Sequence, residues 1–383
     1  MYKILDDLTI LDLTNVLAGP FCTYQLAMMG ANVIKIERPI YGDLSRQLGA
    51  DHDLNKKLLG TSFLAQNAGK KSVVLNLKEK TDLKKFYRMA KTADIIVENF
   101  KPGTAEKLKI DYKTISNFND KIIYCSISGF GQYGPLSNKV AYDQIIQGFS
   151  GVMSLNGTKE VNPLRCGFPM CDTVGGLTAT MAILAALYFR VKTKKGTYID
   201  ISMFDSMLPI LGWAASNFLI AGKEPELLGN DNFTAAPSGT FSTKDGLINI
   251  AANEDKQWVK LCEAIKREDL LRDERFLDRE KRKINRDLLN YILTEVLKEN
   301  TTNYWVKLFE KYDIPCGEIL NLKEVFNLEH TKQRNMIIKL KADYIKEDVK
   351  IINIAPKFSN IENFGATPPP KLGEHSELVL STL

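Results

Sequence analysis

Residues 8–39 read LTILDLTNVLAGPFCTYQLAMMGANVIKIERP, and the order of residue types in this stretch decides the fold. LTILDLT (8–14) is a short apolar run with β-branched residues, the composition of a strand. Gly19-Pro20 opens a helical stretch that runs to Met29, and Gly30 stops it, as glycine does just past a helix end. NVIKIE (32–37) then reads as a second strand. The same rhythm continues outward from this unit. KSVVLNL (71–77) is a third strand, residues 78–92 are helical, ADIIVENF (93–100) is a fourth strand and KIIYCSISGFG (121–131) a fifth. This alternation predicts the α/β class: a Rossmann-like, mostly parallel sheet with helices on both faces.

In such a sheet ligands sit outside the carboxyl ends of the strands. The loops that matter therefore begin at Asn15, Arg38, Asn76, Asn99 and Gly129. A nicotinamide dinucleotide does not suit the first of them. The GxGxxG turn lets a pyrophosphate approach the backbone closely, whereas NVLAGP has one glycine, and Val16 and Leu17 would crowd the phosphates.

Further along, residues 173–191 look like one long apolar helix, and YIDISMFDSML (198–208) runs from a strand-like start into another. Residues 222–245, rich in Gly, Pro, Asn and Thr, mark a change of domain. LINIAA (247–252) is a strand, and in the charged region 255–312 Leu288, Leu289, Ile292, Val296 and Leu297 recur at helical spacing, which reads as a core stripe. Pro368-Pro369-Pro370 reads as an extended tail outside the core. The expected organisation is a large domain of residues 1–221 and 330–383 with a smaller α+β domain, 222–329, between them.

The bulk numbers agree with that size. The chain has 383 residues, 44% apolar and 25% charged, ordinary for a soluble protein of one large and one small domain. A net charge of +5, with Lys and acidic residues interleaved, gives no basic stripe for nucleic acid. The six cysteines form no CxxC pair and the three histidines, His52, His330 and His375, lie far apart, so no metal site is expected. Buried free thiols in a reducing compartment fit this usage. The N-terminus has no signal-peptide core. The most apolar run, Val174–Phe189, is interrupted by Gly175, Gly176, Thr178 and Thr180 and is shorter than the roughly 20 residues that span a bilayer. A cytoplasmic protein with neither nucleic-acid nor membrane partners is the expectation.

The run VLAGPFCTYQLAMMGANVIKIERP resembles the opening of class III CoA-transferases, the CaiB/BaiF family that includes formyl-CoA transferase, carnitine CoA-transferase and α-methylacyl-CoA racemase. The resemblance continues, in the same order, through NAGKKSVVLNLK (67–78), DIIVENFKPG (94–103), SISGFGQYGP (126–135), the helix at Asp172, YIDISMFDSML, GTFSTKDG (239–246), IPCGEILNLKEVF (314–326) and PKLGEH (370–375). It thus covers essentially the whole chain. It implies an enzyme that moves CoA from an acyl-CoA donor to a carboxylic acid acceptor through an aspartyl anhydride and an aspartyl-CoA thioester. It also implies an interlocked homodimer, with coenzyme A and acyl-CoA as substrates and no permanently bound cofactor.

Residue by residue, the resemblance makes Asp172 the nucleophile. Read alone, Asp172 is an N-cap of the helix that follows, a place where the helix dipole would keep its carboxylate ionised. Arg38, Leu75, Lys78, Asn99, Phe100, Lys107 and Tyr142 match positions that hold CoA. Lys78 and Lys107 suit phosphates, although the family more commonly has Arg where Lys107 stands. Arg38 read alone is a surface arginine, and Leu75 and Phe100 are equally core residues. Tyr142 stands where the racemase branch has a histidine that moves the α-proton, and a neutral phenol is a poor base near neutral pH. Glu254 matches a racemase glutamate; read alone it is a surface acid at a strand end. Leu17 replaces a glutamine of formyl-CoA transferase and suggests an acyl group bulkier or less polar than formyl or oxalyl. The nearest counterpart of that enzyme's glycine-rich loop is GNDNFTAAPSG (229–239). Two other readings stay open: an acyl-CoA racemase, and a CoA-binding protein without catalysis.

Overall fold

In the computed structural model, which describes residues 4–359 and 366–383, six parallel strands form one sheet. They are β1 (Thr9–Asp12), β2 (Asn32–Glu37), β3 (Lys70–Val74), β4 (Ile95–Glu98), β5 (Ile123–Ser128) and β6 (Thr197–Ser202). The order is β3-β2-β1-β4-β5-β6, with every pairing parallel. Helices cover both faces, so the inner strands are apolar on both sides. Ile95, Ile96 and Val97 of β4, for example, are all fully buried. The sixth strand grows from the strand-like start of YIDISMFDSML. It extends the five-strand alternation by lying parallel to β5, with Ile123 opposite Thr197 and Ser128 opposite Ser202. The strand order reverses between β1 and β4, and a crevice opens where two neighbouring connections leave in opposite directions.

The apolar helix is longer than its sequence pattern suggests. It runs Met170–Thr193, 24 residues, because Arg190 and Lys192 continue the turn that the apolar run begins. The length expectation is therefore corrected. Met170–Thr193 and the helical stretch Met203–Ala221 are both long and apolar enough to cross a membrane by length and composition. Met170–Thr193 packs on the helix Ala18–Met28, and Gly176 permits the contact: a Cβ there would stand 2.6 Å from the carbonyl oxygen of Ala18.

Contacts group the chain into two compact units. The first contains the chain up to Met153, Arg165–Lys223 and the residues from Glu329 onward. The second contains Ser154–Leu164 and Glu224–Leu328, so the short segment 154–164 groups with the smaller unit rather than with its sequence neighbours. The smaller unit holds an antiparallel sheet of β7 (Ser238–Ser242), β8 (Leu247–Ala251) and β9 (Cys316–Glu318), in that order. Its core includes Phe241, Ile248, Trp258, Leu289, Leu293, Leu297 and Trp305. Of the five residues in the helical stripe, Leu288 instead faces solvent, 37% exposed. In the larger unit the C-terminal segment returns to the sheet. Val74 N donates to Ser376 Oγ, and His375 N donates to the Ser72 carbonyl. The proline run belongs to this return and is no free tail: Pro369 and Pro370 are buried, and their carbonyls accept from Tyr344 Oη and Arg46 Nη1.

Candidate active site

Where the sheet reverses, a pocket of about 410 Å³ opens at the carboxyl ends of β1, β2 and β3. Its lining brings together Arg38, Leu75, Lys78, Phe100 and Tyr142 with Asn15, Val16, Ile36, Leu44 and Leu108. Five positions read from the sequence as CoA contacts thus share one cavity, although more than a hundred residues separate Arg38 from Tyr142. The floor is apolar, because Leu75 is buried in the core beneath and Phe100 packs on the same cluster. The rim is cationic and exposed, with Lys78 free to reach outward and Arg38 donating from Nε to the Gly42 carbonyl at 2.9 Å. An apolar floor beneath a cationic rim suits a ligand with a flat heterocycle and phosphates.

The loop after β1 forms one wall, and its shape is held by buried charge. Val16 has φ +67°, a left-handed conformation that a β-branched residue rarely adopts. Such an outlier costs about 1–3 kcal/mol and persists only where its surroundings impose it. Here they do. Val16 N donates to Asp43 Oδ1 at 3.0 Å, and Asn15 exchanges two hydrogen bonds with the Asn99 side chain, at 2.7 and 2.8 Å. Lys35 Nζ sits 2.9 Å from Asp43 Oδ2 and donates to the Thr14 carbonyl at 2.8 Å. Lys70 Nζ lies 3.0 Å from Asp12 Oδ2, and Asp12 also accepts from Thr14 and Thr23. All four charged side chains are fully buried. Burial works against the Asp12 carboxylate, but Lys35 and Lys70 overcome it and hold the group well below the usual range. Burial also pulls Lys70 down, to about 8, against the attraction of Asp12.

Asp172 lies in the first turn of Met170–Thr193 but is not its cap. The cap position is Pro169, which offers no side-chain acceptor. The acceptor comes from the helix Asp143–Phe149: Asp143 Oδ1 accepts from Cys171 N at 2.7 Å and from Asp172 N at 3.4 Å. The expectation of a dipole-stabilised, ordinarily ionised Asp172 is corrected accordingly. Burial, and then the neighbouring Asp143 carboxylate, push Asp172 up to about 7. A carboxylate made this basic is a stronger nucleophile than an ordinary aspartate and is still half ionised at neutral pH.

The remaining sequence candidates fall outside the pocket lining. Asn99 uses its amide on Asn15, as a brace for the loop. Lys107 is exposed on the short helix Thr104–Leu108, whose Leu108 reaches the pocket instead. Leu17 occupies the cap position of Ala18–Met28. Glu254 belongs to the smaller unit, where its N–H donates to Gln257 Oε1 and its carboxylate pairs with Lys256 at 2.8 Å. GNDNFTAAPSG supplies Gly229–Asn232, Ser238 and Gly239 to a separate cavity of about 530 Å³ inside that unit. Sequence reasoning missed Asp143 as a cap, Gln147 behind it, and the Asp12–Lys35–Asp43–Lys70 cluster. The dipeptide Tyr142-Asp143 marks the first. Lysines within apolar strands, Lys35 inside NVIKIE and Lys70 as the first residue of β3, are the signal for the cluster.

Residues 5–376 match the model of CoA-transferase family III. The human protein "Succinyl-CoA:glutarate CoA-transferase" is 35% identical over 378 residues, 99% of this chain and 85% of that one. "Acetyl-CoA:oxalate CoA-transferase" of Acetobacter aceti is 38% identical over 335 residues, covering 87% of this chain and 85% of its own length. Among solved structures, a CAIB/BAIF family protein from Brucella suis superposes with a TM-score of 0.87 at 32% identity, over all of both chains.

Proposed function

This chain belongs to CoA-transferase family III, and from that premise we propose that it transfers CoA between carboxylic acids through Asp172. The supporting observation is a partly buried carboxylate pushed up to about 7, whose helix is capped by the residue next to Tyr142, and Tyr142 lines the pocket of Arg38, Leu75, Lys78 and Phe100. CoA lies in that pocket, its phosphates at the Arg38 and Lys78 rim. Ionised Asp172 attacks the donor thioester carbonyl, giving a mixed anhydride and free CoA thiolate. The thiolate attacks the aspartyl carbonyl, forming an aspartyl-CoA thioester and releasing the donor acid. The acceptor carboxylate attacks this thioester and again displaces thiolate. The thiolate then attacks the acceptor's acyl carbonyl, yielding the new acyl-CoA and restoring Asp172. The thioester bond energy is conserved at every step, with no water consumed. Hydroxylamine added with the donor alone traps the activated carboxyl as an aspartyl hydroxamate at Asp172, read by mass spectrometry. An Asp172→Ala protein with full transfer activity sinks the mechanism.

The relatives' names favour transfer over racemisation, and they carry short dicarboxylic acids as acceptors. The apolar Leu17 points the same way as glutarate, toward an acid larger than formate or oxalate. A panel of acyl-CoA donors against mono- and dicarboxylic acids tests this; far better turnover of oxalate than of any larger acid refutes it. The working form is a cytoplasmic homodimer in which a second copy, and not lipid, covers the exposed Trp213, Leu219 and Ile220, which are 70%, 79% and 86% exposed. The six thiols, all free, suit a reducing compartment. Light scattering of the detergent-free protein gives twice the chain mass if this is right and the mass of one chain if it is wrong.

A further inference from the structure

Asp143 touches the nucleophile's helix, yet no step above uses it. Cys171 N and Asp172 N donate to its Oδ1 at 2.7 and 3.4 Å, and Gln147 Nε2 donates to its Oδ2 at 2.7 Å. Gln147 is fully buried and is itself tied down: its Oε1 accepts from Cys166 N at 2.8 Å, and its Nε2 reaches the Phe168 carbonyl at 3.3 Å. One carboxylate and one amide from a single neighbouring helix therefore hold the chain at residues 166, 168, 171 and 172. The helix cannot do this for itself, since its own cap residue is Pro169. Both carboxylate oxygens of Asp143 are filled by N–H donors, the surroundings of a fixed acceptor and not of a proton shuttle.

We propose that Asp143, aimed by Gln147, is a positioning residue that fixes the first turn of Met170–Thr193 and thereby sets the line of attack of the Asp172 carboxylate. The proposal rests on the reading of Asp172 as nucleophile. A nucleophile displaced by about 1 Å loses up to about 100-fold in rate, whereas Arg38, Leu75, Lys78 and Phe100 line the acyl-CoA pocket from other elements and stay in place.

The test compares Asp143→Ala, Asp143→Asn, Gln147→Leu and Asp172→Ala for kcat, KM for acyl-CoA, melting temperature and hydroxamate yield at Asp172. Asp143→Ala should lose about 10- to 100-fold in kcat and in hydroxamate yield, with KM for acyl-CoA within about twofold. Asparagine keeps an oxygen for Cys171 N but turns its amide onto Gln147 Nε2, donor against donor, so Asp143→Asn should recover only part of that loss. Gln147→Leu, which leaves the carboxylate but removes its aim, should show the same kcat-only loss at smaller size, and this arm decides the matter if Asp143→Ala does not fold. Wild-type kcat in Asp143→Ala or in Gln147→Leu overturns the proposal, as does an asparagine variant impaired as deeply as the alanine one. Retained transfer in Asp172→Ala overturns instead the reading on which it rests, so the two failures are told apart.

Discussion

Replacing Asp172 with asparagine should stabilise the protein, and the gain should grow with pH. The folded state raises the Asp172 pKa from 3.8 to about 7, burial first and Asp143 second. Folding therefore disfavours the ionised form. Stability is lost as pH rises from the unfolded value through the folded one, and the full loss is present above about 7. At about 1.4 kcal/mol per unit, the full difference is about 4 kcal/mol at pH 8.5, and the same two pKa values give about 1.5 kcal/mol at pH 5. Asparagine is nearly isosteric and never ionises, so it removes the penalty at every pH. For a chain of 383 residues the unfolding entropy near the melting point is about 0.8 kcal/mol per degree, so the variant should melt about 5 °C above wild type at pH 8.5 and about 2 °C above it at pH 5. Thermal unfolding of the two proteins in parallel, at fixed protein concentration and ionic strength, measures this gap. A gap that does not change with pH, or a variant that melts below wild type at pH 8.5, refutes the claim that the site holds Asp172 against its preferred ionisation.

Three further outcomes follow from the same geometry. On the proposed mechanism Asp172 attacks in its ionised form, so kcat/KM for the donor should rise through about pH 7 and at pH 6 should be about one tenth of its plateau, and a profile flat from pH 5.5 to 8.5 contradicts this. Asn99→Ala removes both bonds to Asn15 and should cost about 2 kcal/mol of stability while raising KM for acyl-CoA several-fold, as the strained Val16 turn relaxes into the pocket; unchanged KM with lost stability would make Asn99 a brace with no bearing on binding. Lys35→Met strands the buried Asp43 and should cost about 3–5 kcal/mol in chemical denaturation, whereas Lys78→Ala, on the exposed rim, should leave stability alone and raise KM in a salt-dependent way.

Much of the larger unit was legible because its signals are local. Strand-helix-strand punctuation at Gly19-Pro20 and Gly30 gave β1, the helix Ala18–Met28 and β2 almost to the residue. Where the reading failed, packing had overridden a local preference. Asp172 looks like a cap because its type and place fit one, but Asp143 reaches over from the neighbouring helix Asp143–Phe149 and takes the backbone donors first. Pro368-Pro369-Pro370 looks like a solvated tail, but Arg46 and Tyr344 offer its carbonyls buried donors. The bracing of Asn15 by the Asn99 amide, across 84 positions, is likewise a contact that no local signal encodes.

The sequence by itself determined the α/β class, the parallel strands and the loops at the strands' carboxyl ends, since hydrophobic periodicity and glycine placement act within a few residues. The tertiary structure alone decided which of those loop residues share a pocket and how Asp172 is charged. Both are through-space matters. The pocket joins Arg38 to Tyr142 because strand order reverses between β1 and β4, and Asp172 titrates near neutrality because it lost water and gained Asp143, neither of which its neighbours in sequence encode.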